Sequence, residues 1–313
     1  MTTDPQPLKT PILFLIFNRP EMTRRVFDEI RKARPERLFI AADGPRPDRS
    51  GDGAACLQTR KVVARIDWPC EVKTLFREKN LGCRSAVSSA IDWFFSQTEE
   101  GIILEDDCLP DQSFFRFCRE LLIRYRDDER VMMISGDNFQ KIPSARGAVK
   151  ADASSYYFSR YAHIWGWATW RRAWHRYDIT MSSFPAFKAG GSIAKISRDP
   201  LVQDHWLQIF NQAHDGMIDT WDIQWAYALS VSGGLAAVPN RNLVENIGFD
   251  EQATHTKDPE KYASHPRAQL PIGSLVHPET VVADSVRDAY EDELVLQNIP
   301  ILARLKRRVL QYL

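Results

Sequence analysis

The fold follows from GIILEDDCLP at residues 101–110, where a short apolar run ends in three adjacent carboxylates. Apolar runs of this length predict a buried strand, which a turn after Leu109 would end. The carboxylates therefore lie at the carboxyl end of a strand, which is where open α/β sheets bind their ligands. The segment predicts a ligand site built on an α/β sheet.

The three acids predict a metal site. Neighbouring carboxylates repel one another, and burial raises the cost of their charged form. A hard divalent cation such as Mg²⁺ or Mn²⁺ offsets both costs, because it takes oxygen ligands. Strand alternation would place Glu105 and Asp107 on one side and Asp106 on the other. The alternative is that the acids cap the next helix, with Asp111 and Ser113 close behind.

Two further apolar runs precede this segment. Residues 11–17 and 37–42 are predicted to be buried strands, and residues 21–32 between them carry apolar side chains at helical spacing. Strand, helix and strand in this order form a βαβ unit. A third strand is predicted at 71–76. The pattern predicts an α/β fold with a mainly parallel sheet.

The bulk composition excludes several function classes. The 313 residues carry 41 Lys and Arg against 41 Asp and Glu, so no net basic field attracts nucleic acid. Five cysteines without a CxxC pair fit a reducing cytosol better than a disulfide scaffold. The apolar run 12–17 is too short for a signal peptide or a membrane span. We therefore expect a cytoplasmic protein that does not bind nucleic acid.

Phosphate groups would have to be bound without a glycine-rich loop. No GxGxxG follows the first strand, and the chain has no GxxxxGK[ST] motif. A metal and cationic side chains would take over, and Arg19 and Arg84 are candidates because arginine can grip phosphate oxygens with two hydrogen bonds. Either one alone is more often a plain surface arginine. Asp43, after the second strand, would accept from a nucleobase N–H or else form the turn before Gly44.

Four tryptophans lie close together at Trp165, Trp167, Trp170 and Trp174. Their aromatic faces suit the C–H faces of sugars, and Gly166 allows a close approach. Three of them repeat at about helical spacing, so burial in the core is the alternative.

Two single residues are further candidates. Asp222 lies between Trp221 and Trp225, and a carboxylate desolvated by aromatic neighbours is a stronger base. The same residue would fit a helix N-cap equally well. His255 has no CxxC or HxxxH partner nearby, and a lone histidine is more often structural than a ligand. Only the acidic segment makes a metal role for His255 attractive.

Seven short segments, taken in order, resemble a known family. The chain has FNRPE after the first strand, DGPR after the second, NLGCR before a helix, then LEDDCLP, GWATW, TWD and NIGFDEQATHT. Together they resemble the GT-A fold glycosyltransferases, and within these the bacterial sugar transferases related to the N-acetylglucosaminyltransferase I group. The resemblance covers roughly residues 10 to 260, and LEDDCLP is its most specific part.

The resemblance implies a fold and a reaction. The fold would be GT-A, a Rossmann-like mixed, mainly parallel sheet with helices on both faces. The reaction would move a sugar from a nucleotide-sugar, here a UDP-sugar, to an acceptor hydroxyl with inversion, in cell-surface glycan synthesis. Asp222 would deprotonate that hydroxyl. A divalent metal, usually Mn²⁺, would assist, and the acceptor would be a glycan or a lipid-linked molecule.

Matched position by position, the resemblance also implies the binding residues. Asp107 would ligate the metal, and His255 would lie near the metal or the diphosphate. Asp106 would lie near the ribose, while Arg19 and Asp43 would meet the phosphates and the uracil. The other predicted nucleotide-sugar contacts are Asn80, Arg84 and Trp167.

Two other functions remain open at this point. A sugar nucleotidyltransferase would share the sheet and the metal, but it would need a glycine-rich, basic loop after the first strand, and FNRPE has no glycine. A non-catalytic carbohydrate-binding protein on this fold would keep the tryptophans and could lose the acids, but Glu105, Asp106 and Asp107 are all present.

The chain is predicted to form one domain and an extension. Residues 1–265 would be the GT-A domain, with a nucleotide-binding half at 10–110 and an acceptor half at 111–265. Residues 266–313 would be a C-terminal extension. Its last part, 299–313, predicts a basic amphipathic helix, which would touch an anionic membrane weakly or pack on the domain.

Overall fold

The computed structural model describes residues 7–140, 154–248, 266–271, 273–297 and 299. The prediction for His255 lies outside these residues, and so does nearly all of the predicted helix at 299–313.

An eight-stranded mixed sheet forms the centre of the molecule, in the order β3-β2-β1-β4-β8-β6-β9-β7. Neighbours among β1 to β4 run parallel, β8 runs antiparallel to both β4 and β6, and β7 runs antiparallel to β9. The prediction of a mixed, mainly parallel, Rossmann-like sheet is confirmed. The strands are β1 Ile12–Ile16, β2 Arg37–Ala42, β3 Glu71–Phe76, β4 Glu100–Glu105, β6 Val131–Ser135, β7 Tyr156–Ser159, β8 Trp167–Trp170 and β9 Leu235–Pro239.

Helices cover both faces of this sheet, because the central strands are apolar on both faces. Ile12 and Phe14 of β1 pack with α1 and α4, whereas Leu13 and Leu15 pack with α3 and α8. The predicted two-sided arrangement is confirmed. The α-helices are α1 Pro20–Ala33, α2 Asp52–Val63, α3 Gly82–Phe95, α4 Gln112–Arg124, α5 Arg171–Trp174, α6 Phe184–Ala189, α7 Pro200–His214, α8 Asp222–Ser232 and α9 Ser285–Gln297, with a 3-10 turn at Ser192–Lys195.

A separate two-stranded ribbon holds the end of the acidic segment. It pairs β5, Cys108–Pro110, with β10, Val244–Asn246, in antiparallel register. The prediction that the strand continues to a turn after Leu109 is therefore wrong, since β4 ends at Glu105 and a turn at residues 106–107 leads into β5. The chain passes from the main sheet to the ribbon at this turn, so the acids lie at the edge of the main sheet.

The C-terminal segment packs on the domain. Leu270 and Leu275 belong to the core around α1 and α4. Asp288 of α9 is 1% exposed and accepts hydrogen bonds from Ser159 Oγ at 2.6 Å and Arg160 Nε at 2.7 Å. Within the described residues, no helix is long and apolar enough to span a membrane.

Candidate functional site

A cavity of about 630 Å³ opens at the carboxyl ends of β1, β2 and β4. The loop after β1, residues 17–19, forms one wall, and the acids of residues 105–107 form another. A third wall comes from the second half of the chain, at residues 164–165 and 209–223. The candidate acids and the TWD segment therefore line one cavity. It lies at the edge of the sheet where open α/β folds bind their ligands.

Arg19 contacts two of the three acids at residues 105–107. The Arg19 Nη1 atom lies 2.9 Å from Asp107 Oδ2 and 3.9 Å from Asp106 Oδ1. The predicted alternation, with Asp106 and Asp107 on opposite sides, is therefore wrong, because the turn interrupts the strand pleat. Capping of the next helix falls to Asp111, which accepts from Ser113 N at 2.8 Å. The capping alternative for the three acids is thereby removed.

Burial and mutual repulsion make this cluster costly to charge. Burial raises the pKa of Glu105 and of Asp106, the charge on Asp107 raises both further, and Arg19 lowers both. Asp106 is 7% exposed and also accepts from the Phe17 backbone N–H at 3.1 Å. One arginine therefore leaves part of the repulsion uncompensated, and a cation would relieve it.

Asp107 is the carboxylate of this cluster that would hold a divalent ion. The Asp107 carboxylate lies against Gly248, and a side chain at that position would overlap it. Glycine at position 248 allows this close approach of the backbone to Asp107. Among the described residues, no three Asp, Glu, His or Cys side chains converge on one point. An ion at Asp107 would complete its coordination with water and ligand oxygens, as Mg²⁺ commonly does.

Asp43 and Asn80 form the floor of the cavity near β2. Asp43 accepts from the backbone N–H groups of Gly44 at 2.8 Å and Leu81 at 3.0 Å, and from Asn80 Nδ2 at 2.9 Å. Burial raises the pKa of Asp43, and the Gly44 and Leu81 amides lower it in part. Asn80 also donates to Gly44 O at 2.9 Å. Both predicted residues line the cavity, and most of their hydrogen bonds shape the loop itself.

Asp222 lines the same cavity at the start of α8. It is half-buried and accepts a hydrogen bond from Thr220 Oγ1. Its charge is close enough to raise the pKa of Glu105, after burial and the two neighbouring acids. The predicted acid cluster and the predicted base therefore line the same cavity.

Two predicted contacts are not at the cavity. Trp167 is 1% exposed, stacks on Trp221 at 5.6 Å between ring centroids, and is absent from the cavity wall. The prediction that Trp167 touches the sugar is corrected to a core position, while Trp165 and Trp221 line the cavity. Arg84 is also absent from the wall, since α3 turns its side chain toward Gly216.

Arg46 and Arg77 are cavity residues that sequence reasoning passed over. Arg46 is held by Asp52 at 2.8 Å and lies over the Phe17 ring at 5.3 Å. The hydrogen bond from Arg46 lowers the pKa of Asp52 to about 2. Arg46 is the last residue of the DGPR segment. A cationic residue shortly after a strand end was the signal in the sequence that could have identified it as a cavity residue.

A buried triad of a histidine and two carboxyl groups lies next to the 164–165 part of the cavity wall, and burial raises the pKa of one of these carboxyls, Asp137, to about 7. His163 is 7% exposed and lies between Asp137, at 3.9 Å from its Nδ1, and Glu291 of α9, at 3.6 Å from its Nε2. Asp137 also accepts from the Trp165 backbone N–H at 3.2 Å. The triad therefore connects α9 to the segment that carries a wall residue. Although burial lowers the pKa of His163, Glu291 and Asp137 raise it to about 9.

This triad predicts a loss of stability at alkaline pH. A histidine whose folded pKa is about 9 stabilises the fold fully below the ordinary value and loses that contribution as pH rises through 9. Between pH 7 and 9.5 the free energy of unfolding should fall by about 2 kcal/mol more in the wild type than in His163→Gln. Urea unfolding at both pH values measures the difference, with exposed His214→Gln as control. Equal losses in wild type and His163→Gln would contradict the charged triad.

Comparisons with known proteins leave the family open. No protein-family model matches the chain, and no curated protein matches it. Among solved structures, HddC from Yersinia pseudotuberculosis is 9% identical with a TM-score of 0.27, over 41% of this chain and 60% of that one. A UDP-glucose pyrophosphorylase complexed with UDP-glucose is 11% identical with a TM-score of 0.25, over 42% and 64%. The chain spans less than two thirds of either protein.

Proposed function

We propose that the chain is a metal-dependent glycosyltransferase that moves a sugar from a UDP-sugar to an acceptor hydroxyl with inversion. One observation carries the proposal: a single cavity contains carboxylates at the end of β4 and a separate carboxylate, Asp222, on the wall from the second half of the chain. A transferase needs these two groups near one donor, one for the leaving diphosphate and one for the acceptor.

Asp107 would hold the ion, and water and diphosphate oxygens would complete its shell. When bound, Mn²⁺ or Mg²⁺ stabilises the negative charge that develops on the leaving nucleoside diphosphate. Arg19, 2.9 Å from Asp107, would share the same phosphate oxygens. Asp106, held by Phe17 N, would lie toward the ribose. His255, which lies outside the described residues, would also lie near the metal or the diphosphate.

Asp222 would act on the acceptor. Its carboxylate takes the proton of the hydroxyl, the hydroxyl oxygen bonds to the anomeric carbon, and the bond from that carbon to the diphosphate oxygen breaks. Attack from the face opposite the leaving group inverts the anomeric centre. Trp165, Ile209 and Ile218 line the cavity nearby and offer apolar surface to a glycan or lipid-linked acceptor.

A sugar nucleotidyltransferase is the competing function. Such an enzyme would direct backbone N–H groups of the loop after β1 toward phosphates. Here the first of these, Phe17 N, already donates to Asp106. This hydrogen bond takes one such amide out of use, and nucleotidyl transfer stays the alternative function.

The proposal is tested by thermal stabilisation. The protein is heated with UDP-, GDP-, CMP- and dTDP-sugars, each with Mn²⁺ or with EDTA. One UDP-sugar should raise Tm by about 5 °C at saturation, and only with the metal. A panel without any stabilisation, or a shift of equal size in EDTA, would contradict a metal-dependent donor site.

A further inference from the structure

Asp219 caps a helix that lies far from it in sequence. Its Oδ2 accepts from Cys83 N at 2.9 Å, and its Oδ1 accepts from Arg84 N at 3.0 Å. Both amides belong to the first turn of α3, where the helix has no partners of its own for them. α3 has no side-chain cap at Leu81 and no acidic residue in its first turn. The missing cap is therefore supplied by the loop between α7 and α8.

Gly82, the first residue of α3, makes this contact possible. This residue has a φ of 78°, which residues with a side chain rarely adopt. A Cβ at position 82 would lie 2.6 Å from Asp219 Oδ2. Glycine is thus required both for the backbone conformation and for the approach of the carboxylate.

Asp219 stands three residues before Asp222 in a short loop. Trp221, at 2% exposure, fixes the end of that loop in the core by stacking on Trp167. Asp219 fixes the earlier part of the same loop by its hydrogen bonds to α3, which belongs to the nucleotide-binding half. The first turn of α8 is therefore held from two sides.

We propose that Asp219 is a positioning residue: by capping α3 across the cavity, it sets the place of Asp222 relative to the acids on β4. The inference rests on the proposed role of Asp222. Asp219 itself is a poor candidate for the base, because both of its oxygens already accept hydrogen bonds.

The test compares Asp219→Ala with Asp199→Ala. Asp199 caps α7 through Leu201 N at 2.7 Å and is absent from the cavity wall, so its loss removes a similar cap without touching the tether. Asp219→Ala should lower kcat about 10-fold to 10²-fold, and by a larger factor than it raises KM for the donor, because small misplacements of a catalytic group have such effects. Asp219→Asn, which keeps one acceptor, should lie between. A fall in kcat no larger than that of Asp199→Ala, or an equal rise in KM, would overturn the proposal.

Hydrogen exchange provides a readout that needs no turnover. In Asp219→Ala, exchange should rise about 10-fold in two separate peptides, 80–88 and 216–224, while Asp199→Ala changes neither. Unchanged exchange in 216–224 would overturn the tether. If the wild type transfers no sugar but exchange rises as expected, the proposed function fails and the structural link stands, so the two failures are distinguishable.

Discussion

Replacing Asp107 with asparagine is expected to abolish metal-dependent binding of the nucleotide-sugar while leaving the fold intact. The substitution keeps the size of the side chain and removes the charge that would hold the ion. The side chain of Asp107 is 18% exposed and accepts from Arg19, and asparagine keeps an oxygen that can accept the same hydrogen bond. The hydrogen bond from Ile247 N at 2.8 Å goes to the backbone oxygen. Affinity for the donor with Mn²⁺ should fall by about 10²-fold or more, measured by calorimetry.

Glu100→Gln is the matched control for this experiment. Glu100 lies at the start of β4, far from the acidic turn that follows this strand, and pairs with Arg126 at 2.7 Å, so its substitution also removes a carboxylate and an ion pair. It should bind the donor like the wild type. An unchanged metal-dependent affinity in Asp107→Asn would show that the ion, if it binds, is held elsewhere.

Replacing Asp222 with asparagine is expected to stop transfer without weakening donor binding. Asparagine can still accept from Thr220 Oγ1, so the start of α8 should stay in place. It cannot take a proton from the acceptor, and kcat should therefore fall by about 10²-fold or more. Steady-state kinetics and calorimetry on the same preparation separate the two effects.

Asp92→Asn serves as the control for Asp222→Asn. Asp92 also accepts a hydrogen bond beside an aromatic residue, from Trp174 Nε1 at 2.7 Å, but it is absent from the cavity wall. It should keep normal turnover. Near-normal turnover in Asp222→Asn would instead assign the base to Glu105, the nearby cavity carboxylate. Asp204 is exposed on α7 and absent from the wall, so it is a weaker alternative.

The sequence was informative where local patterns determine the structure. The segment 71–76 predicted β3, and the apolar runs at 11–17 and 37–42 predicted β1 and β2 to within a residue at each end. Such runs are reliable because a strand buried on both faces must be apolar throughout. The cavity at residues 105–107 followed from the same reasoning, since the carboxyl ends of parallel strands meet at one edge.

Long-range contacts account for what the sequence did not predict. The turn at Asp106 depends on β5 pairing with β10, more than 130 residues further on. No local pattern predicts that Asp219 caps α3 or that Glu291 approaches His163. Trp167 was ambiguous for a similar reason, because aromatic residues suit both sugar contacts and cores, and only its neighbours Trp221 and Trp225 decide the matter.

The central claim is that the donor is cleaved at the bond between the anomeric carbon and the diphosphate. Phosphorus NMR of the protein with a stabilising nucleotide-sugar and Mn²⁺, with and without added pyrophosphate, tests this directly. We expect release of the nucleoside diphosphate under both conditions, by transfer to an acceptor or slowly to water, and none from Asp107→Asn. Formation of a nucleoside triphosphate and a sugar 1-phosphate, dependent on pyrophosphate, would contradict it and identify a nucleotidyltransferase.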